Sequence, residues 1–258
     1  MVRTVAATRY VTPFREGGSV PGLVEADDDG LYVVKWRGAG QGVKALIAEL
    51  VVGELGRALE LPIPEIVLVE LDPRLGAAEP DPEIHQLLEA SGGLNVGLDF
   101  LPGALAYNPA ADPPMAPSLA AEIVWFDALT TNPDRTAQNP NILAWHGRAW
   151  LIDHGAALYV HHTWRDPDAH ARQPFPRLRD HLLLPQAGSL ADADARLAPR
   201  LTRELVDEVV GLVPDEWLVA DGRFEDAATA RAAYVRYLGL RLDAPRPFLR
   251  DVEGGRAA

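Results

Sequence analysis

The sequence predicts an α+β fold of two lobes. A small antiparallel sheet lobe with one helix occupies residues 1–103, and a mostly helical lobe occupies 104–258. Three observations lead there. Short alternating apolar runs, bounded by turn signals, fill the N-terminal part, and a period of two marks half-buried strands. Between 104 and 117 the composition shifts to Pro, Ala, Asn and Asp, as in a linker. Beyond it, apolar residues recur mainly at helical spacing.

The chain has 258 residues, 48% of them hydrophobic, enough for one large domain or two lobes around a sizeable core. It has no cysteine, which excludes a disulfide framework, a thiolate nucleophile and a zinc–cysteine site. The opening MVRTVAATRYVTPF holds no apolar signal core, and no run reaches transmembrane length. A cytoplasmic protein without a membrane span is therefore expected. With 24 basic and 37 acidic residues the net charge is −13. A field of that sign repels a phosphate backbone, so no nucleic-acid partner is expected from overall charge.

In chain order, a weakly alternating strand over 4–11 leads to the loop Gly17-Gly18-Ser19-Val20-Pro21-Gly22. Bare glycines and a hydroxyl can cradle phosphate through backbone N–H groups, and they also make ordinary turns. Asp27-Asp28-Asp29-Gly30 is a strong turn signal before a clear strand over 31–36. Within it Lys35 shares a face with Leu31 and Val33. An ammonium there needs a partner or a ligand anion, unless it snorkels off the strand end.

A second glycine loop, Gly38-Ala39-Gly40-Gln41-Gly42, precedes a helix predicted over 43–61. Leu46, Ile47, Leu50, Val51, Leu55, Ala58 and Leu59 form its buried stripe. Glu49 lies on a neighbouring face with Ala45, Val52, Gly53 and Gly56, small enough for another backbone to pass. Glu49 is thus a candidate partner for Lys35, with a solvated Glu as the alternative. Pro62 and Pro64 stop the helix, and 66–71 is the next strand. An exposed excursion over 72–93 holds a short helix at 83–90. The strand at 94–100 is broken by Pro102-Gly103.

An apolar helix over 118–130 delivers the chain into NPDRTAQNPNILAWHGRAWLIDHG, residues 132–155. Pro133 and Pro140 forbid a continuous helix through its first part. Strands at 142–145 and 149–152 flank the turn His146-Gly147, so the hairpin returns Asp153 towards Asp134 and Asn139. Mg²⁺ is a hard ion that favours carboxylate and amide oxygens. Phosphoryl transfer needs one carboxylate to orient the attacking hydroxyl, and an Asp and an Asn on metal. D-x-x-x-x-N followed by D-x-G has the order of protein-kinase catalytic and metal-binding loops. Each acid alone is equally a capped turn residue. A zinc hydrolase built on Asp153, His154, His161 and His162 is a further reading, but their spacing matches no zinc site and the last two are adjacent. They are expected as partly exposed histidines near the cleft mouth. Helices at 201–212, 215–218 and 227–242 complete the second lobe.

Four stretches carry a family resemblance: GGSVPGLVEADDDGLYVVKW, the E-x(9)-L-x-L-x-x-P run from Glu49 to Pro64, FDALTTNPDRTAQN and LIDHGAALY. In this order they resemble the HipA-like kinases and, more distantly, the type II phosphatidylinositol 4-kinases. Both have an atypical protein-kinase-like fold. The resemblance implies an ATP- and Mg²⁺-dependent phosphotransferase. It would move the γ-phosphoryl group to a hydroxyl of a protein Ser/Thr, a lipid head group or a small molecule. It implies that Lys35 binds the α/β-phosphates, that Glu49 orients Lys35, and that Gly17, Gly18 and Ser19 cover the phosphates. Asp134 would be the catalytic base, Asn139 and Asp153 the Mg²⁺ ligands, and Asp99, Phe100 and Leu101 the hinge against adenine.

There are departures from ordinary protein kinases. Asn132-Pro133 stands where His-Arg precedes the catalytic Asp, and the metal-binding turn is Asp-His-Gly. No Ala-Pro-Glu element follows, and the glycine loop is not G-x-G-x-x-G. The alternative from another class is a nucleotide-binding pseudokinase acting as a sensor or scaffold; retention of all four catalytic positions argues against it.

Overall fold

A computed structural model describes residues 2–14, 20–77 and 79–249. The N-terminal lobe runs β1 (Arg3–Pro13), β2 (Gly22–Ala26), β3 (Leu31–Lys35), α1 (Gly42–Ala58), β4 (Ile66–Leu71), α2 (Pro82–Ala90) and β5 (Gly93–Asp99). The five strands close into a barrel in the order β1-β2-β3-β5-β4. Four neighbouring pairs are antiparallel, but β1 and β4 pair in parallel, Arg3 to Val67 through Ala6 to Glu70. This corrects the expectation of an antiparallel sheet. A closed ring with an odd number of strands cannot keep every neighbour antiparallel, and periodicity alone does not reveal closure.

Tyr32 and Val34 of β3 fill the barrel with Val24, Val67 and Val69. Strand alternation then turns Leu31, Val33 and Lys35 to the outer face. At Gly22 a Cβ would lie 2.6 Å from the Trp36 ring and 2.7 Å from the Tyr10 ring, so only glycine fits where the loop rejoins the barrel.

The apolar stripe of α1 joins the outer face of β4 and β5 to the second lobe, in one core with Phe126 and Trp217. Its small-residue face meets two kinds of neighbour. Gly53 and Gly56 lie against the side chains of Ile66 and Ile63, and Ala45 lies against the backbone at Gly155.

The second lobe contains β6 (Leu105–Ala106), α3 (Pro117–Thr130), β7 (Ile142–Trp145), β8 (Arg148–Leu151), α4 (Pro167–Ala171), α5 (Leu190–Leu197), α6 (Arg203–Gly211), α7 (Asp215–Leu218) and α8 (Ala227–Leu242). Strands β6, β7 and β8 form a small sheet, so part of the predicted linker is a strand. Among the described residues no helix is long and apolar enough to cross a membrane.

Candidate active site

Lys35 ends β3, Glu49 lies in the middle of α1, and Asp153 follows β8. The Lys35 Nζ lies 2.7 Å from Glu49 Oε2 and 2.5 Å from Asp153 Oδ1. Glu49 is completely buried. Burial works against both charges. The mutual attraction with Lys35, aided by His154, nevertheless holds the Glu49 carboxyl down at about 2. The Lys35 ammonium likewise loses solvation, but Glu49 and Asp153 push its pKa above the ordinary lysine value.

The Asp-His-Gly turn is tied to the same carboxylate. His154 donates its backbone N–H to Glu49 Oε2 at 2.8 Å, and its Nδ1 lies 3.4 Å from Oε1. Asp153 takes a left-handed backbone, φ +58°, which Asp tolerates better than most residues. This turn and the first turn of α1 shape a small recess lined by Lys35, Asp153, Gly155, Gln41 and Gly42.

Asp134 and Asn139 are hydrogen-bonded to each other, Asn139 Nδ2 donating to Asp134 Oδ2 at 2.8 Å. The sequence reading missed Asn141. Its Nδ2 also donates to Asp134 Oδ2, at 3.1 Å, while its carbonyl accepts Ile152 N–H at 3.0 Å. Asn141 thus links the Asp134 loop to the strand that ends at Asp153. Among the described residues no hydrogen bond runs directly from Asp153 to Asp134 or Asn139. Their connection is this amide and the Ile142–Leu151 pairing of β7 and β8.

The loop stands on a buried brace that sequence reasoning also missed. Asp127 of α3 is fully buried, 2.6 Å from Arg135 Nε and 2.9 Å from His181 Nε2. Leu183 N–H donates to His181 Nδ1, so the ring proton sits on Nε2 and is given to Asp127. Asn132 Nδ2 donates to the other oxygen at 3.1 Å, and Asn132 Oδ1 accepts Asp134 N–H. Arg135 also donates to the Asn141 carbonyl. Burial opposes the Asp127 charge, yet Arg135 and His181 hold its carboxyl well below the usual range. One signal was available: an acid inside an apolar helix needs a buried partner.

The segment 99–101 leads out of β5. Asp99 N–H donates to Glu65 O at 2.8 Å and Phe100 N–H to Leu31 O at 2.9 Å, so both amides are committed to the fold. Phe100 faces Phe14 with ring centroids 6.3 Å apart. Gly17, Gly18 and Ser19 lie outside the described residues; the Pro13–Gly22 pairing and the Phe14 N–H to Pro21 O bond flank that loop.

The histidines do not gather. His154 faces Glu49, while His161 is buried with Nδ1 3.1 Å from the Tyr234 hydroxyl, so only His162 of that pair is exposed. Among the described residues no three His, Asp or Glu side chains form a metal-binding group. The oxygens suited to a hard cation are instead Asp153 Oδ2 and the Asn139 amide oxygen. Neither accepts a hydrogen bond from a described residue. Asp153 stands beside the Lys35 ammonium and its carboxylate suits a hard cation shared with phosphate, while Asn139 is bonded to Asp134 on the neighbouring loop.

A small barrel with one spanning helix, joined to a helical lobe across this cleft, defines a protein-kinase-like fold. The model of the family described as HipA-like kinase matches residues 8–242, and the chain belongs to that family. Solved structures agree on the fold. The Helicobacter pylori proinflammatory kinase CtkA is similar at 14% identity and TM-score 0.54, over 91% of this chain and 95% of that one. The Golgi casein kinase with Mn/ADP bound is similar at 13% identity and TM-score 0.51, over 99% of this chain and 75% of that one. No curated protein sequence matches this chain.

Proposed function

We propose that this chain transfers the γ-phosphoryl group of ATP, with Mg²⁺, to the hydroxyl of a protein Ser or Thr. The lobe boundary in this reading lies at 103/104, after Pro102-Gly103. One observation carries it: the Lys35 ammonium sits between a fully buried glutamate and a half-exposed aspartate on the opposite lobe. A buried cation with one accessible anionic partner suits exchange of that partner for phosphate.

In this reading Glu49 keeps Lys35 charged and aimed at the cleft. The phosphates would take the place of Asp153 on Lys35, and Asp153 and Asn139 would hold the cation. Bound Mg²⁺ would neutralise the charge that gathers on the phosphate oxygens. Asp134 has one oxygen held by Asn139 and Asn141, which leaves Oδ1 to accept the proton of the attacking hydroxyl. Asp99 and Phe100 meet the base through side chains and carbonyls, because their amides are already used. Leu101 is the remaining hinge position. Positioning and charge neutralisation do most of the work.

Mass spectrometry of the full chain, with and without a Ser/Thr-rich peptide pool, after incubation with ATP and Mg²⁺ tests the reading. Phosphoryl increments that disappear in Asp134→Asn are expected. Adenylyl increments would replace phosphoryl transfer by nucleotidyl transfer. Tight ATP binding with no modified product and no ADP would favour the sensor or scaffold.

A further inference from the structure

A second cavity, of about 280 Å³, lies behind the first turn of α1 and is walled by Trp164, Trp217, Phe224 and Tyr234. Trp164 meets Phe224 and Tyr234 edge to face, with ring centroids 5.4 and 4.9 Å apart, which makes a mutually braced aromatic frame. The volume lies just below the range, about 300–1,000 Å³, in which proteins hold drug-sized molecules. At its border Lys44 Nζ lies 2.6 Å from Asp221 Oδ2, and Arg223 Nε lies 3.6 Å from the same oxygen. Within the lining itself the Lys44 and Asp221 charges cancel, and the Arg223 guanidinium stands outside it. Trp217 is 2% exposed, and its indole N–H meets no acceptor among the described residues. That nitrogen is itself shielded from a water-sized probe, so Trp217 contributes apolar ring surface to the lining and not its N–H.

We propose that this cavity binds a neutral, planar, naphthalene-sized aromatic molecule, at a site separate from the nucleotide cleft. The occupant also bears on the cleft. Gln41 and Gly42 line both this cavity and the recess at Lys35, and Glu49 lies about two turns along the same helix. The coupling, unlike the binding, rests on the nucleotide reading of the cleft.

Titration of the full chain with Prodan, a neutral naphthyl ketone, reads binding through probe emission and energy transfer from tryptophan. Saturable one-to-one binding that MgATP does not displace is expected. Ala220→Trp, which fills the cavity from an exposed position, should weaken binding roughly tenfold or more with unchanged circular dichroism. Phe224→Leu, which removes one ring of the braced frame, should weaken binding roughly two- to tenfold. Uptake without saturation, displacement in step with ATP occupancy, or wild-type affinity in both folded variants would each overturn the site. Reciprocity requires Prodan and ATP to change each other's affinity by the same factor, and two unchanged affinities would overturn the coupling. A protein that binds Prodan and no nucleotide would overturn the reading of the cleft instead.

Discussion

Two buried carboxylates hold the two sides of the cleft, and they are built alike. Glu49 and Asp127 are both fully buried, each beside one cation and one histidine. They differ in where the network ends. The partners of Asp127 finish inside the fold, on the Asn141 carbonyl and in the turn after His181. The partner of Glu49 reaches outward, because Lys35 also holds Asp153, whose side chain is 39% exposed. A closed network fixes a loop. A network that opens onto an exchangeable partner can bind something. In the proposed reading, ionic groups of the same kind serve structure in one lobe and chemistry at the junction of the two.

Breaking the closed network should have the largest effect. Asp127→Ala strands Arg135 and His181 in the interior, and removing one member of a buried pair costs about 3–5 kcal/mol. The urea midpoint should fall accordingly. A midpoint equal to wild type would mean that the brace does not hold the loop.

Acid sharpens the comparison from the other side. Glu49 titrates at about 2 in the fold, against 4.5 ordinarily. The unfolded chain therefore takes up the proton first as pH falls. The stability Glu49 lends is complete above roughly pH 4.5 and is lost as pH falls towards 2. Over that window the urea midpoint of Glu49→Gln should decline less steeply than that of wild type. Parallel declines would remove Glu49 from the acid response.

The smallest effect is expected at an exposed pair between the lobes. Arg37 Nη1 lies 2.7 Å from Glu216 Oε1, with side chains 24% and 52% exposed. Arg37→Ala should cost at most about 1 kcal/mol and respond to salt. A loss as large as that of Asp127→Ala would erase the distinction between buried and exposed ion pairs drawn here.

Much of this was legible in the chain. The strands around Lys35, the helix bearing Glu49 and the hairpin from Asp134 to Asp153 follow from alternation, helical spacing and turn chemistry. The end of α1 was not: Leu59 and Leu61 stay buried after the helix stops at Ala58, so their apolar spacing continues past the left-handed Glu60. Strand β6 was hidden because Leu105 and Ala106 are exposed and are held by pairing with β7, not by burial. Helix α5 was hidden because only Leu190, Ala193 and Leu197 of it are buried. The brace was hidden by distance, since His181 reaches Asp127 across 54 positions. Asn141 was hidden by its neighbour Asn139, which has the expected spacing from Asp134.

The central claim is that Lys35 and Asp153 exchange their mutual contact for nucleotide and metal. Calorimetric titration with ATP, with and without Mg²⁺, on wild type, Asp153→Ala and Lys35→Met tests it most directly. The account predicts that Mg²⁺ strengthens ATP binding to wild type, that folded Asp153→Ala loses this Mg²⁺ dependence, and that Lys35→Met weakens ATP binding roughly tenfold or more. Equal ATP affinity in all three proteins, indifferent to Mg²⁺, would contradict it.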